Sequence, residues 1–218
     1  MSESDSFIHE VSEEVRRDRL FKLFKKYAWV LALVVIAIVG GTAYNEWNKS
    51  ASEAEARLTG DLMSAAIAAN DPGALQSLAA EKSASKFVLQ LQQANLLIEA
   101  GDTAAALEAL RAVANDAGAA PVYADLAWLK IVMLDGPNMP ATEREITLDR
   151  LTAANAPYRL LAQEQRAMQY VRDGDIEAAI NDLLAILGDT AAPTGLRNRA
   201  QQLIVALGGD IEQAVSNG

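Results

Sequence analysis

Residues 28–43, AWVLALVVIAIVGGTA, run for sixteen positions without a charged side chain. Tyr27 and Trp29 stand at one end and Tyr44 and Trp47 at the other, where amphipathic rings prefer a headgroup region. At about 1.5 Å per residue, a helix over 27–47 spans roughly 31 Å, close to the hydrocarbon core of about 30 Å. A soluble helix carries a polar face, and 28–43 has none. The run therefore predicts a single transmembrane helix at 27–47, with the lipid bilayer as its first partner.

The flanks orient it. Arg16, Arg17, Arg19, Lys22, Lys25 and Lys26 precede the run with one acid, Asp18, among them, whereas Glu46, Lys49, Glu53 and Glu55 follow. Basic flanks stay cytoplasmic. The expected topology is that of a bacterial inner-membrane, single-pass protein, with residues 1–26 as a charged, partly helical cytoplasmic tail and everything after residue 47 periplasmic. A cleaved signal peptide has a short basic leader, an apolar stretch of about 7–15 residues and a small-residue cleavage site. Gly41-Thr42-Ala43 resembles such a site, but the leader is long and mixed in charge.

Charge divides unevenly. Residues 1–44 hold six bases and six acids, so the chain's net charge of −10 falls entirely on residues 45–218. Phosphate contacts need clustered Lys and Arg, so no nucleic-acid partner is expected. The absence of cysteine excludes disulfides, thiolate catalysis and Cys-based zinc sites. His9, in the tail, is the only histidine, so the exported part has no imidazole for catalysis or metal. The acid pairs Asp173/Asp175 and Glu143/Glu145 sit at turns or helix starts, where carboxylates cap. The chain is read as no enzyme, without cofactor or metal.

Beyond the anchor, Ala-rich composition and helical spacing predict an all-α fold. A helical connector and first hairpin are expected over 48–85, helix-pair repeats over 86–209 and a flexible tail over 210–218. Asp71-Pro72, Gly101-Asp102, Pro121, the T-x-x-E capping box of Thr142 and Glu145, Asp173-Gly174-Asp175 and Pro193 punctuate the helices. Phe87, Leu91, Ala94 and Ile98 mark one apolar face. Residues 94–110 (ANLLIEAGDTAAALEAL) align with residues 167–183 (AMQYVRDGDIEAAINDL) at an offset of 73. Half that offset is about 36, near the tetratricopeptide period of 34 with an insertion at 137–140. The reading is a degenerate tetratricopeptide-like α-solenoid of helix hairpins.

Such arrays present grooves to peptides or partner domains. The candidate protein-binding aromatics are Phe87, Tyr123, Trp128, Tyr158 and Tyr170. In the anchor, Ala28, Ala32, Ala37 and Gly41 form small-x-x-x-small pairs that let membrane helices approach.

The charged tail DSFIHEVSEEVRRDRLFKLFKKY, one anchor ending near Trp47 and a degenerate repeat domain together resemble the YfgM-like family, most closely its alphaproteobacterial members in residues 5–47. The resemblance implies an ancillary subunit of the SecYEG translocon. Its partners would be the translocon, a membrane-anchored periplasmic prolyl-isomerase-type chaperone and exported polypeptides. The competing reading is an accessory subunit of another inner-membrane complex, respiratory or envelope.

Overall fold

The computed structural model describes residues 3–210, and the side chains from Trp29 onward apart from Leu31, Ala32 and Val35. The fold is all-α among these residues, and the chain divides into two units, Met1–Gly60 and Asp61–Gly218. The expected tail at 210–218 lies, apart from Asp210, outside the described residues, as do the side chains of the 1–26 segment.

Helix α1 runs Glu3–Ala68. Within the first unit its surface changes character along its length. Trp29, Leu33, Val34, Ile36, Ile38, Val39, Tyr44 and Trp47 are all exposed. The Thr42 hydroxyl in this stretch donates back to the Ile38 and Val39 carbonyls at 3.0 and 2.9 Å, so its donor is satisfied within the helix. Past Trp47 the surface turns ionic, with Glu53 between Lys49 and Arg57 at i,i+4 spacing. Among the described residues no helix is long and apolar enough to cross a membrane. Ala28, Leu31, Ala32 and Val35, inside the apolar run, fall outside that statement.

The second unit holds the end of α1, then α2 (Pro72–Glu81), a 3-10 turn (Ser83–Ser85), α3 (Lys86–Glu99), α4 (Thr103–Ala114), α5 (Pro121–Asp135), α6 (Ala141–Leu151), α7 (Arg159–Asp173), α8 (Ile176–Gly188) and α9 (Thr194–Ala206). From α2 onward each helix packs on the next, and α5 also touches α3 and α7.

Three turns share one construction. Asn70, Gly101 and Gly174 adopt left-handed φ values of 51°, 79° and 83°. The next residue is an aspartate each time. Its backbone N–H reaches back to the Ala66, Leu97 and Tyr170 carbonyls respectively, each at 2.9 Å. Its carboxylate then accepts from the N–H of Ala74, Ala105 and Ala178. One residue pair thus ends a helix and caps the next. Gly136, at the α5–α6 junction, is right-handed instead, with φ −46°.

The repeat extends beyond the segment visible in sequence. The starts of α3, α4 and α5, at 86, 103 and 121, become 159, 176 and 194 on adding 73, which are the starts of α7, α8 and α9. Ala94, Ala106, Leu110, Val113, Ala127 and Ile131 are fully buried, and their counterparts Ala167, Ala179, Leu183, Ile186, Ala200 and Ile204 are at most 1% exposed. A three-helix unit occurs twice, and α6 lies between the copies. The small alanines lie where helices cross, and the Leu, Val and Ile side chains fill the seams.

Two sequence expectations need correction. Thr142 is not the N-cap of α6: the helix begins at Ala141, because the Pro140 carbonyl already accepts from Arg144 N–H at 3.0 Å. The Arg144 guanidinium instead ties the loop, donating to the Gly136 and Met139 carbonyls. Nor does α3 bury a single face. Leu91 and Ala94 join the core shared with α4 and α5, while Leu89 and Leu96 join a second core with Ala66, Leu75 and Ala79. A helix held between neighbours on both sides cannot keep one apolar stripe. In the α5 pair Val132/Met133, Val132 turns inward and Met133 is exposed.

A Cβ at a left-handed residue strains the backbone. Gly174→Ala should lower stability by about 1 kcal/mol, whereas Asn70→Gly should raise it by a few tenths. Paired urea melts check the opposite signs.

Candidate interaction surface

The five aromatics all rest partly buried on core clusters. Phe87 and Tyr123 stack, with ring centroids 6.0 Å apart and an interplanar angle of 27°. Trp128 and Tyr158 each pack on the Leu129, Leu151 and Ala162 cluster, and Arg150 covers the Trp128 ring at 5.4 Å while pairing with Asp125 at 3.7 Å. Burial pushes the Tyr158 phenol above its ordinary pKa, and Asp125 and Tyr123 add to the effect. Tyr170 packs elsewhere, on the core of the second copy. Phe87 and Tyr123 are therefore brought together, Trp128 and Tyr158 share one cluster, and Tyr170 stands apart. Of the small anchor residues, Ala37 and Gly41 are exposed, and nothing lies within 4 Å of a Cβ added to Gly41. Ala28 and Ala32 lie outside the described side chains.

The opposite ends of the hairpins are tied by salt bridges that the duplication repeats. Lys86 Nζ meets Asp116 at 2.6 Å, and Asp116 Oδ1 accepts from Gly118 N–H at 2.8 Å. Seventy-three residues on, Arg159 meets Asp189, whose Oδ1 accepts from Ala191 N–H at 2.7 Å. In both cases the side-chain hydrogen bond from the cation, then the backbone N–H, holds the aspartate pKa below its ordinary value. Each loop is fastened to the first residue of a helix two elements earlier.

Several differences between the copies come in pairs. Leu91 and Leu126 pack on the first core; their counterparts Glu164 and Arg199 form a two-pronged ion pair at 2.8 and 2.9 Å. The Phe87–Tyr123 stack becomes Leu160 and Leu196 in the second core. Lys130 donates to Asn95 Oδ1 at 2.8 Å in the first copy, and the matching residues are Leu203 and Met168.

Grooves follow the same logic. A groove of about 570 Å³ lies over α3 between α2 and α4, lined by Ala79, Ala80, Ala109, Gln90 and Gln93, with Lys86 and Glu108 also on its lining. Over α7 the groove is smaller, about 270 Å³, and charged: Arg166 and Asp182 stand where Gln93 and Ala109 stand, joined at 2.7 and 2.8 Å, and Arg166 also donates to Thr152 Oγ1. That hydrogen bond to Asp182 holds the Arg166 guanidinium above its ordinary pKa. Among the described residues no group of three or more His, Cys, Asp or Glu side chains is arranged to hold a metal ion.

Reading along the sequence singles out aromatics and misses this polar pattern, because its partners lie between 14 and 35 positions apart. The 73-residue offset is the usable signal: extended outward from 94–110, it pairs Lys86 with Arg159 and Asp116 with Asp189. No protein-family model, curated protein or solved structure matches the chain.

Arg199→Leu leaves the nearly buried Glu164 carboxylate unpaired and should cost about 1–3 kcal/mol. The double variant Glu164→Leu/Arg199→Leu, which copies the first repeat, should recover most of that loss; denaturant melts of both variants check the recovery. The two aspartates add a pH signature. A carboxyl whose folded pKa is lowered contributes stability above its unfolded value and loses it as pH falls through the folded one. Melting temperature should therefore fall with acidification below the ordinary carboxylate value, and less steeply in Asp116→Asn/Asp189→Asn. Equal slopes would reject the assignment.

Proposed function

We propose that this protein is a membrane-tethered periplasmic adaptor, built as a degenerate tetratricopeptide-like array and associated with the SecYEG translocon. The observation that carries the tether is the uncharged run 28–43 behind six basic residues, whose described side chains are all exposed on α1. Apolar surface of that extent favours burial in lipid, and the basic flank favours an inside N-terminus.

The array reading draws on turn spacing. Asn70, Gly101, Gly136, Gly174 and Gly208 follow helix ends at intervals of 31, 35, 38 and 34, bracketing the 34-residue tetratricopeptide period. Contacts between alternate helices α3, α5 and α7 also fit a stack of hairpins. The translocon itself, the prolyl-isomerase-type chaperone and exported polypeptides as partners come from the resemblance of residues 5–47 to the YfgM-like family. Tethering raises the effective concentration of weak sites, so modest affinity for emerging chains suffices.

Photocrosslinkers at positions 37 and 128 in intact cells test the assignment. Adducts to translocon subunits from 37 and to a periplasmic chaperone or nascent exported chains from 128 are expected. Adducts from both sites to subunits of a respiratory or envelope complex would replace the translocon with that complex. Protease added to spheroplasts should remove 61–210 and spare the leader; survival of 61–210 until lysis overturns the topology.

A further inference from the structure

Past the apolar run, one side of α1 settles its charges within the helix, with Glu53 between Lys49 and Arg57. Another side carries no charge at all. Starting at Val30, alternating steps of three and four reach Leu58 through apolar, aromatic or glycine positions alone. From the end of the run onward these positions are Tyr44, Trp47, Ala51, Ala54 and Leu58. Such spacing returns to one side of a helix every 3.5 residues or about two per heptad, the period of a seam between paired helices. Each of the other six registers over 30–58 contains a charged side chain, at Glu46, Lys49, Glu53, Glu55 or Arg57.

All nine seam positions are exposed, Tyr44, Trp47 and Leu58 by 67%, 73% and 54%. Lipid covers apolar surface inside a bilayer, but this seam continues through Ala51, Ala54 and Leu58, where the flanking surface is ionic. A stripe that passes unbroken from an uncharged stretch into a charged one calls for an occupant that makes the same passage. Two positions per heptad fit one helix rather than a broad surface. A second copy of α1, parallel and in register, meets these conditions by construction: its apolar stretch, its Tyr44–Trp47 boundary and its small residues fall level with those of the first. Ala37 and Gly40 on one side of that boundary and Ala51 and Ala54 on the other let the two axes approach, and nothing lies within 4 Å of a Cβ added to Gly40.

We propose that α1 pairs with α1 of a second copy of this chain as a parallel two-stranded coiled coil over residues 30–58. The part of the seam within the apolar run rests on the tether reading; the part from Tyr44 to Leu58 stands without it. Ala37 lies in the seam, so a photocrosslinker at that position yields a self-adduct beside any translocon adduct. Each pair of anchors carries two arrays, which raises the avidity of weak contacts.

The test exploits the absence of cysteine. Single-cysteine variants of the full chain, Ala51→Cys, Ala54→Cys and Ala56→Cys, are co-expressed with two different epitope tags and oxidised in native membranes with copper phenanthroline. A disulfide needs Cα atoms within about 7 Å, which facing seam positions satisfy and position 56, on the far side of the helix, does not. The yield of disulfides joining the two tags should be about tenfold higher at 51 and 54 than at 56. Adding Leu58→Lys to Ala54→Cys should abolish most of that yield, whereas adding Ala56→Lys should leave it unchanged. Equal yields at all three positions, no self-disulfide at 51 and 54, or indifference to Leu58→Lys each overturn the pairing and leave the face to lipid or to another protein's helix. Protease on spheroplasts reads the membrane address alone, and the contrast of 51 and 54 with 56 reads pairing alone, so the two readings fail separately.

Discussion

A left-handed residue followed by a capping aspartate is the joint on which the second unit turns. Asn70-Asp71, Gly101-Asp102 and Gly174-Asp175 each close one helix through a backbone hydrogen bond that reaches back into its last turn, and open the next through a carboxylate. Such a joint fixes where the second helix starts relative to the first. Only then can α3 pack on α4, and α7 on α8, closely enough for large side chains to fill the seams. Losing the joint would cost more than a cap, because the register of every later helix follows from it.

The second level of order is electrostatic. Lys86–Asp116 and Arg159–Asp189 are partly exposed pairs whose attraction water screens. Their value lies in position: each returns the loop after one helix to the start of an earlier one. The duplicated units then diverge by exchanging whole interactions, apolar for ionic at Leu91/Leu126 and Glu164/Arg199. Exchange in pairs avoids stranding a charge in the interior, which is the costly intermediate.

Much of this order is legible in the sequence alone. Gly101 and Gly174 announce turns because glycine alone enters the left-handed region freely, and the aspartates after them announce caps. Asn70 makes the same turn but reads as an ordinary polar residue, so the third joint does not stand out as a copy. The capping-box pattern misplaces the start of α6 because Pro140, not Thr142, supplies the first carbonyl. The single apolar face assigned to α3 fails because periodicity assumes one buried side, and α3 has two. Asn95 and Lys130 meet only through the packing of α3 on α5. No local pattern foreshadows such a contact, whereas the aromatics attract notice by size alone.

The twofold occurrence of the three-helix unit bears on how the chain acquires its structure. Each copy's interior is assembled from a short contiguous stretch, the first largely from residues 87–148 and the second from 160–207. Contacts between sequence neighbours carry a small loop-closure penalty and form quickly. The leading copy can consolidate while the trailing one is still being delivered, whether from a ribosome or through a pore. The nascent molecule then docks new helices, one after another, onto a surface that already exists.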